Sequence, residues 1–244
     1  MSLPKYVFTD TDEFGDMAVI DDDKHRILSF GAGDEQSVQI KDKPHVLAHA
    51  YTQAMLLSLL FCEPKRVLIL GLGAGSLFCA LHHQVPGVRI HAVELRQKVI
   101  DIAKRYFRLP SSKKLTLSCS DALEYLRQPV VKKVDLILTD LYDAYGMKQT
   151  QISDDYILLC SQQLKVDGWL VFNCWGRTDD HPQLFDKLAK AFADVRSCES
   201  GDGNLIIFAG KQKDTKSHSQ LKTLATKLGN SLGFDLQRFM NKLQ

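Results

Sequence analysis

The sequence lacks long apolar runs. Its longest apolar stretch, residues 54–62, falls well short of the roughly 20 residues that cross a membrane. The first residues, MSLPKYVFTDTDEFGD, also lack the charged-then-apolar order of a secretory signal. We therefore expect a cytoplasmic protein that has no membrane partner.

Cysteine pairs are missing as well. None of the six cysteines belongs to a Cys-x-x-Cys pair, and none has a histidine at zinc-finger spacing. Most of them lie in apolar stretches, where cysteine behaves as a small buried hydrophobe, so we expect reduced thiols and no metal site. His45 and His49 lie four residues apart on a predicted helix without an evident third ligand, and we interpret them as polar-face residues.

The chain has little net charge, +2, but the charge is uneven. Residues 1–43 contain ten acidic and five basic residues, whereas residues 211–244 contain seven basic and two acidic ones. A basic tail can bind nucleic acid. Two apolar stripes in this tail instead favour two short helices, separated by Gly229 and Gly233, that pack on the protein. A nucleic-acid partner is therefore not expected.

What the 244 residues do contain is an alternation of strand and helix patterns. Short apolar runs separated by turn-rich stretches predict antiparallel strands in residues 1–43. Apolar residues at helical spacing predict a helix over residues 44–61. Five apolar strands that alternate with helices then predict a parallel, doubly wound α/β sheet, which two more strands complete before residue 210. We accordingly divide the chain into an N-terminal β-layer (1–43), a Rossmann-like α/β domain (44–210) and a helical tail (211–244).

The strongest motif follows the first of these strands, RVLIL. Gly71, Gly73 and Gly75 open a helix there, where glycines permit a sharp turn and bring backbone N–H groups close to a ligand. Glu94 ends the next strand, 19 residues after Gly75, at a spacing suited to ribose hydroxyls. Asp121 follows the third strand and could receive an adenine amino group. Because all of them lie at the carboxyl ends of strands, the pattern predicts a nucleotide site.

A dinucleotide such as NAD is the main alternative ligand. Its pyrophosphate requires another glycine three residues after Gly73, where this chain has Ser76. The loop therefore favours a nucleoside with an amino-acid-like tail. A glycine-rich turn surrounded by solvated carboxylates is the purely structural alternative.

A second motif, Asp140-Leu-Tyr-Asp143, follows the fourth strand. Two carboxylates at the ligand edge of a sheet can hold a cationic amine, and one of them can take its proton as the nitrogen attacks. A base is needed because an amine with a pKa near about 10 is mostly protonated at neutral pH. The alternative is a pair of loop aspartates that cap turns. Trp175 either lines the same pocket or packs inside the fold.

Together the motifs resemble the spermidine-synthase-like family of polyamine aminopropyltransferases, within the S-adenosylmethionine-dependent methyltransferase superfamily. The resemblance rests on VLILGLGAGSL, HAVEL, SDALEYL, LILTDLYDAYG and LKVDGWLVFN, and it covers residues 25–210. It implies a Rossmann-like methyltransferase sheet flanked by helices, a small N-terminal antiparallel β-layer, and a homodimer. It also implies a transferase that uses S-adenosylmethionine or its decarboxylated form with a small-molecule amine acceptor.

The resemblance also implies roles for individual residues. The three glycines would form the nucleoside loop, with Glu94 at the ribose and Asp121 at the adenine. Asp140 would match the catalytic aspartate of the family, and Asp143 would match the second aspartate of its signature. Three further residues are implied to contact ligands in the pocket, namely Gln36 on the nucleoside and Tyr51 and Tyr142 on the acceptor.

Ala74 departs from the family pattern, which has an aspartate in the glycine loop. That aspartate would attract the amine end of decarboxylated S-adenosylmethionine and repel the carboxylate of the intact form. Ala74 therefore favours methyl transfer, whereas the overall resemblance favours aminopropyl transfer, and both stay open. Ala144 also stands where the family signature ends in proline.

Two other classes of function stay open. A catalytically degenerate chain could serve as a nucleotide-binding interaction protein, although retention of both Asp140 and Asp143 argues against it. A methyltransferase could also act on nucleic acid or another non-polyamine acceptor. No Asn/Asp-Pro-Pro-Tyr/Phe signature follows the fourth strand, which argues against a base-flipping enzyme.

Overall fold

The N-terminal part of the chain forms a small antiparallel sheet. The computed structural model describes residues 4–31, 35–143 and 146–244, apart from the side chain of Asp143. Four strands follow one another in the order of the chain: β1 (Lys5–Asp12), β2 (Gly15–Asp21), β3 (His25–Phe30) and β4 (Glu35–Ile40). Apolar side chains on the inner face of this sheet pack against Val99, Ile102 and Phe107. The predicted antiparallel layer is therefore confirmed, and an apolar cluster joins it to the rest of the fold.

The larger sheet has seven strands. In spatial order they are β12 (Asp194–Glu199), β13 (Asn204–Gly210), β11 (Leu164–Trp175), β8 (Val134–Thr139), β5 (Arg66–Leu70), β6 (Arg89–Glu94) and β7 (Leu115–Cys119). The prediction of a wholly parallel sheet is wrong for β13, which runs antiparallel to both neighbours. Residues 200–203 alone join β12 to β13, and so short a connection links antiparallel strands. A separate two-stranded ladder pairs β9 (Tyr142–Asp143) with β10 (Gly146–Met147).

Helices cover both faces of the larger sheet. They are α1 (Ala50–Met55), α2 (Ser76–Gln84), α3 (Gln97–Tyr106), α4 (Ala122–Arg127), α5 (Asp154–Gln163), α6 (Pro182–Ala191), α7 (His218–Leu232) and α8 (Gln237–Met240). Successive residues of β5 face opposite cores, Val67 and Ile69 on one side and Leu68 and Leu70 on the other. Because both faces are buried, β5 is a continuous apolar run in the sequence. The predicted α/β architecture with two covered faces is confirmed.

The helix predicted over residues 44–61 is shorter than expected. Leu47 forms a β-bridge with Gln39, which keeps the chain before α1 out of a helical conformation. The helix begins only at Ala50, and after Met55 the chain continues as a 3-10 helix, Leu56–Leu60. A short apolar stretch with helical spacing could not reveal this bridge to the N-terminal sheet.

The tail packs on the protein, but its first helix is longer than predicted. The helix α7 passes through Gly229 and ends at Leu232, and Gly233, whose φ is 81°, follows it as the C-cap. A side chain at Gly229 would come within 2.8 Å of the Phe234 carbonyl oxygen, so glycine there permits a close return of the chain. Leu221 and Phe239, one from each apolar stripe, are buried in the main core.

The cysteines are free thiols, four of them buried, one partly buried and Cys119 exposed. Burial raises the pKa of Cys79 to about 12, which keeps that thiol neutral and unreactive. Within the described ranges, no group of three or more His, Cys, Asp or Glu side chains is arranged to hold a metal ion. Of the helices in those ranges, none combines the length and apolar character that a membrane crossing requires.

Candidate active site

A cavity of about 1410 Å³ opens where the parallel strands of the larger sheet reach their carboxyl ends. Open α/β sheets bind ligands at this edge. Eight residues predicted to belong to the site line it: Gln36, Tyr51, Gly71, Gly73, Glu94, Asp121, Asp140 and Tyr142. The N-terminal sheet contributes Gln36 and Ser37, and the turn between β12 and β13 contributes Asp202. The fold therefore gathers most of the predicted residues around one space.

The glycine loop differs from the expected cradle of free N–H donors. Every N–H group from residue 71 to residue 75 already donates to the protein. The acceptors are, in order, the Val93 carbonyl (2.9 Å), Glu94 Oε2 (2.9 and 3.3 Å), Ser37 Oγ (3.1 Å) and the Leu72 carbonyl (2.9 Å). A loop with its donors occupied is poorly suited to a pyrophosphate, which needs several backbone N–H groups. This geometry favours a nucleoside over a dinucleotide.

The glycines allow close packing within the protein. A side chain at Gly71, whose φ is 93°, would overlap the carbonyl oxygen of Asp140, and one at Gly73 would lie 2.6 Å from Ser37 Oγ. Gly71 and Gly73 line the cavity, but Gly75 does not, and a side chain there would meet Leu109 instead. Gly75 lies at the start of α2 beneath Leu109, outside the cavity lining, and its contact with the nucleoside stays a prediction.

Ala74 is buried away from the cavity. Its exposed fraction is 0%, and it belongs to the apolar cluster between the N-terminal sheet and α3. Only its N–H group faces a polar partner, Ser37 Oγ. Ala74 itself therefore does not line the cavity, and the inference that its lack of a carboxylate favours the intact donor stays a prediction.

Glu94 lies at the end of β6 and organises the loop. Its Oε2 accepts the N–H groups of Leu72 and Gly73, and its Oε1 accepts that of Arg96 at 3.1 Å. Burial raises the pKa of Glu94, while these three hydrogen bonds oppose the shift by favouring the ionised form. An ionised carboxylate offers about four lone-pair sites, so Glu94 can still accept a hydrogen bond from a ligand hydroxyl.

Asp121 lies at the same edge of the larger sheet, after β7, the strand next to β6. Its Oδ1 caps α4 by accepting the N–H groups of Leu123 at 2.8 Å and Glu124 at 3.1 Å. The side chain is exposed and lines the cavity. The cap fixes the orientation of the carboxylate, which can then present its second oxygen to a ligand.

Asp140 follows β8 and is held from two sides. Asn173 Nδ2 donates to its Oδ1 at 2.8 Å, and the Tyr51 hydroxyl donates to its Oδ2 at 3.4 Å. Burial raises the pKa of Asp140, the two donors partly oppose that shift, and the charge of Glu94 adds to it. A carboxylate with a raised pKa at a cavity wall is a suitable proton acceptor.

Sequence reasoning missed the residues that support Asp140. Asn173 is 1% exposed, and its Oδ1 accepts a hydrogen bond from Asn204 Nδ2 at 2.9 Å, which orients the amide toward Asp140. Asp202 Oδ2 accepts the N–H group of Tyr51 at 3.2 Å. The position of Asn173 near the carboxyl end of β11 could have identified it, whereas Asp202 lies in a turn without a motif.

The remaining predicted residues have different outcomes. Tyr142 lines the cavity, with its hydroxyl 3.5 Å from the Asn173 carbonyl oxygen. Asp143 pairs through its backbone with Gly146, but its side chain lies outside the described part of the chain, so its role stays a prediction. Trp175 is 62% exposed and lines the cavity. This position agrees with the interpretation that Trp175 lines the pocket, and not with packing inside the fold. His49 lines it too, stacked on Tyr51, although we expected only a polar-face residue.

The cavity is strongly acidic. Six carboxylates belong to its described lining, namely Glu13, Glu35, Glu94, Asp121, Asp140 and Asp202. Arg96 and Lys148 are the permanently charged cations of that lining. Low-dielectric walls strengthen the field of such a group of charges, so the space favours cationic ligands.

Two proteins with similar sequences have names that describe transferases. A polyamine aminopropyltransferase from Neisseria meningitidis serogroup A is 27% identical over 238 residues, which cover 95% of this chain and 90% of that protein. An eEF1A lysine and N-terminal methyltransferase homolog from Drosophila melanogaster is 36% identical over 168 residues, covering 65% of this chain and 25% of that protein. Sequence and site together place the chain among the transferases with a methyltransferase-like α/β fold.

Solved structures and a family model narrow the class. A probable spermidine synthase from Corynebacterium glutamicum has a TM-score of 0.80 at 17% identity, with 96% of this chain and 93% of that chain covered. Human methyltransferase-like protein 13 in complex with SAH has a TM-score of 0.68 at 20% identity, with 76% and 93% covered. These likenesses show the fold. The model of the spermine/spermidine synthase domain matches residues 45–199, and the chain belongs to that family.

Proposed function

We propose that the protein transfers an aminopropyl group from decarboxylated S-adenosylmethionine to a small amine acceptor. The observation that carries the proposal is the position of Asp140, held by Asn173 and Tyr51 at the wall of an acidic cavity. The Neisseria relative, which matches nearly the whole chain, is named a polyamine aminopropyltransferase, and this name supports the same reaction.

The nucleoside would occupy the half of the cavity between the glycine loop and α4. Glu94 would accept hydrogen bonds from the ribose hydroxyls, and Asp121 would accept one from the adenine amino group. Gly71 and Gly73 would let the ligand lie close to the loop backbone. Gln36, from β4, would contact the same ligand from the N-terminal sheet.

In the reaction, the lone pair of the acceptor nitrogen attacks the aminopropyl carbon bonded to the sulfonium. The bond from that carbon to sulfur breaks, and its electron pair stays on sulfur, which leaves as a neutral thioether. The nitrogen must lose a proton, and the ionised Asp140 carboxylate would accept it. Catalysis would also depend on holding the nitrogen in line with the carbon–sulfur bond.

The acidic cavity favours the aminopropyl donor. Decarboxylated S-adenosylmethionine has an ammonium and a sulfonium but no carboxylate, so it is attracted to a lining with six carboxylates. Asp140 and Asp202 bracket Tyr51, one at its hydroxyl and one at its N–H group, and both would face a cationic acceptor. Tyr142 and Trp175 would line the same half.

Methyl transfer from intact S-adenosylmethionine is the second candidate. The Drosophila relative, named a methyltransferase homolog, supports it by its 36% identity, and so does the SAH complex of a protein with the same fold. In that case the same nitrogen would attack the methyl carbon, and the thioether product would keep its amino-acid tail. Assembly as a homodimer and a cytoplasmic location remain predictions.

The two reactions leave different thioethers. The chain is incubated with a short aliphatic diamine and either donor, and the products are separated by mass spectrometry. Methylthioadenosine and an elongated amine are expected from the decarboxylated donor, whereas S-adenosylhomocysteine from the intact donor would support methyl transfer. Asp140→Asn should abolish turnover, and the exposed Asp155→Asn on α5 is the matched control. If the chain binds both donors but forms neither product, the result would indicate a nucleotide-binding interaction protein instead of an enzyme.

A further inference from the structure

The turn between β1 and β2 (residues 13–14) forms part of the cavity wall. Glu13, Phe14 and the adjacent Gly15 line the same space as Glu94 and Leu95. Phe14 is 44% exposed, which is a large fraction for an aromatic side chain. The N-terminal sheet thus places an aromatic ring beside the end of β6, where the proposed ribose ligand Glu94 is located.

Arg96 binds the residues on both sides of this turn. Its guanidinium makes a bidentate ion pair with Asp12, at 3.0 Å from Nε to Oδ2 and 2.7 Å from Nη2 to Oδ1. Nη2 also donates to the Gly15 carbonyl at 2.7 Å, so both ends of the turn are bound. The side chains of Arg96 and Asp12 are only 7% and 9% exposed. Buried bidentate pairs hold their geometry well, because separating them leaves charges without partners.

The same arginine connects the turn to the nucleoside half of the cavity. Its backbone N–H group donates to Glu94 Oε1 at 3.1 Å. Arg96 therefore contacts both the turn and the carboxylate proposed to bind ribose. The guanidinium lies 4.6 Å from the ring centroid of Phe30 and 5.9 Å from that of Phe14. Phe14 therefore lies within reach of the Arg96 guanidinium and also lines the cavity.

We infer that Phe14 is a nucleoside-binding residue and that Arg96 acts as its positioning residue. The ring covers the adenosine moiety, and the ion pair of Arg96 with Asp12 holds the turn where that contact can form. Stacking of a base on an aromatic ring commonly contributes enough affinity to be measured. This inference rests on the proposed nucleoside site, but it does not depend on which group is transferred.

The test uses calorimetry with methylthioadenosine and with S-adenosylhomocysteine. Phe14→Ala should weaken both ligands by about tenfold, equivalent to about 1.4 kcal/mol, because both contain the adenosine moiety. Tyr6→Ala is the matched control, since Tyr6 lies on the same hairpin, is 64% exposed and does not line the cavity. It should leave both affinities unchanged, and both variants should keep the unfolding temperature of the parent chain.

A double-variant cycle tests the positioning role. Arg96→Lys keeps the charge but loses the bidentate fork, so it should weaken binding in the parent chain and have no further effect in the Phe14→Ala background. An equal loss in both backgrounds would show that Arg96 does not act through Phe14. Unchanged affinity of Phe14→Ala, with normal binding by the parent chain, would overturn this inference alone. Absence of any nucleoside binding by the parent chain would overturn the proposed function as well.

Discussion

Gly71→Ala tests whether the glycine loop exists to bring β5 close to Asp140. Gly71 has a φ of 93°, a conformation that residues with a side chain rarely adopt. Its added methyl group would overlap the carbonyl oxygen of Asp140 and lie 2.9 Å from the carbonyl carbon. Asp140 cannot move away freely, because its N–H group donates to the Leu70 carbonyl at 2.9 Å.

Two costs add in this variant. The left-handed conformation costs roughly 1–2 kcal/mol for a residue other than glycine. Overpacking against a fixed backbone costs a further 1–3 kcal/mol or so. The free energy of unfolding should therefore fall by about 3 kcal/mol. For a chain of this size, that is a drop of roughly 6–12 °C in the unfolding temperature. Displacement of Asp140 should also reduce turnover more than ligand affinity.

Gly31→Ala is the matched control for the backbone cost. Gly31 has a φ of 76°, but a side chain there would meet no atom within 4 Å. Thermal unfolding of both variants, followed by circular dichroism, should show a clearly smaller loss for Gly31→Ala. Equal losses would refute the reasoning, since the contact with Asp140 would then contribute nothing.

Three further predictions concern the site and the tail. Asp140→Asn should unfold at a higher temperature than the parent chain at pH 7–8. Burial raises the folded-state pKa of Asp140, so the parent loses stability as pH rises through that pKa. The difference in unfolding temperature between the two chains should shrink toward pH 4. Calorimetric scans that show the same difference at every pH would contradict this prediction. Asn173→Leu removes a donor that favours ionised Asp140, so the acid limb of the pH–rate profile should move to higher pH; an unmoved limb would exclude this role. Leu221→Asp, at a position 3% exposed, should cost about 3 kcal/mol or more in chemical unfolding, and Leu224→Asp, at 38% exposure, under about 1 kcal/mol. Similar losses would mean that the tail does not pack as described.

The sequence by itself determined the α/β architecture and identified eight of the residues that line the cavity. Buried parallel strands are continuous apolar runs, as β5 shows, because both of their faces are covered. The carboxyl ends of such strands meet at one edge of the sheet, so Glu94, Asp121 and Asp140 could be grouped without knowledge of their contacts. Glycine spacing likewise indicated a tight turn after β5.

Only the tertiary structure decided how these residues are used. Ser37 and Glu94 accept three of the N–H groups of the glycine loop, and Ala74 is buried in the apolar cluster between the N-terminal sheet and α3. Asp202 reaches Tyr51 across 151 residues of sequence. Such contacts depend on how distant segments pack, whereas local patterns record only which face of an element is apolar and where it ends. The identity of the hydrogen-bond partners is therefore fixed by the folded chain alone.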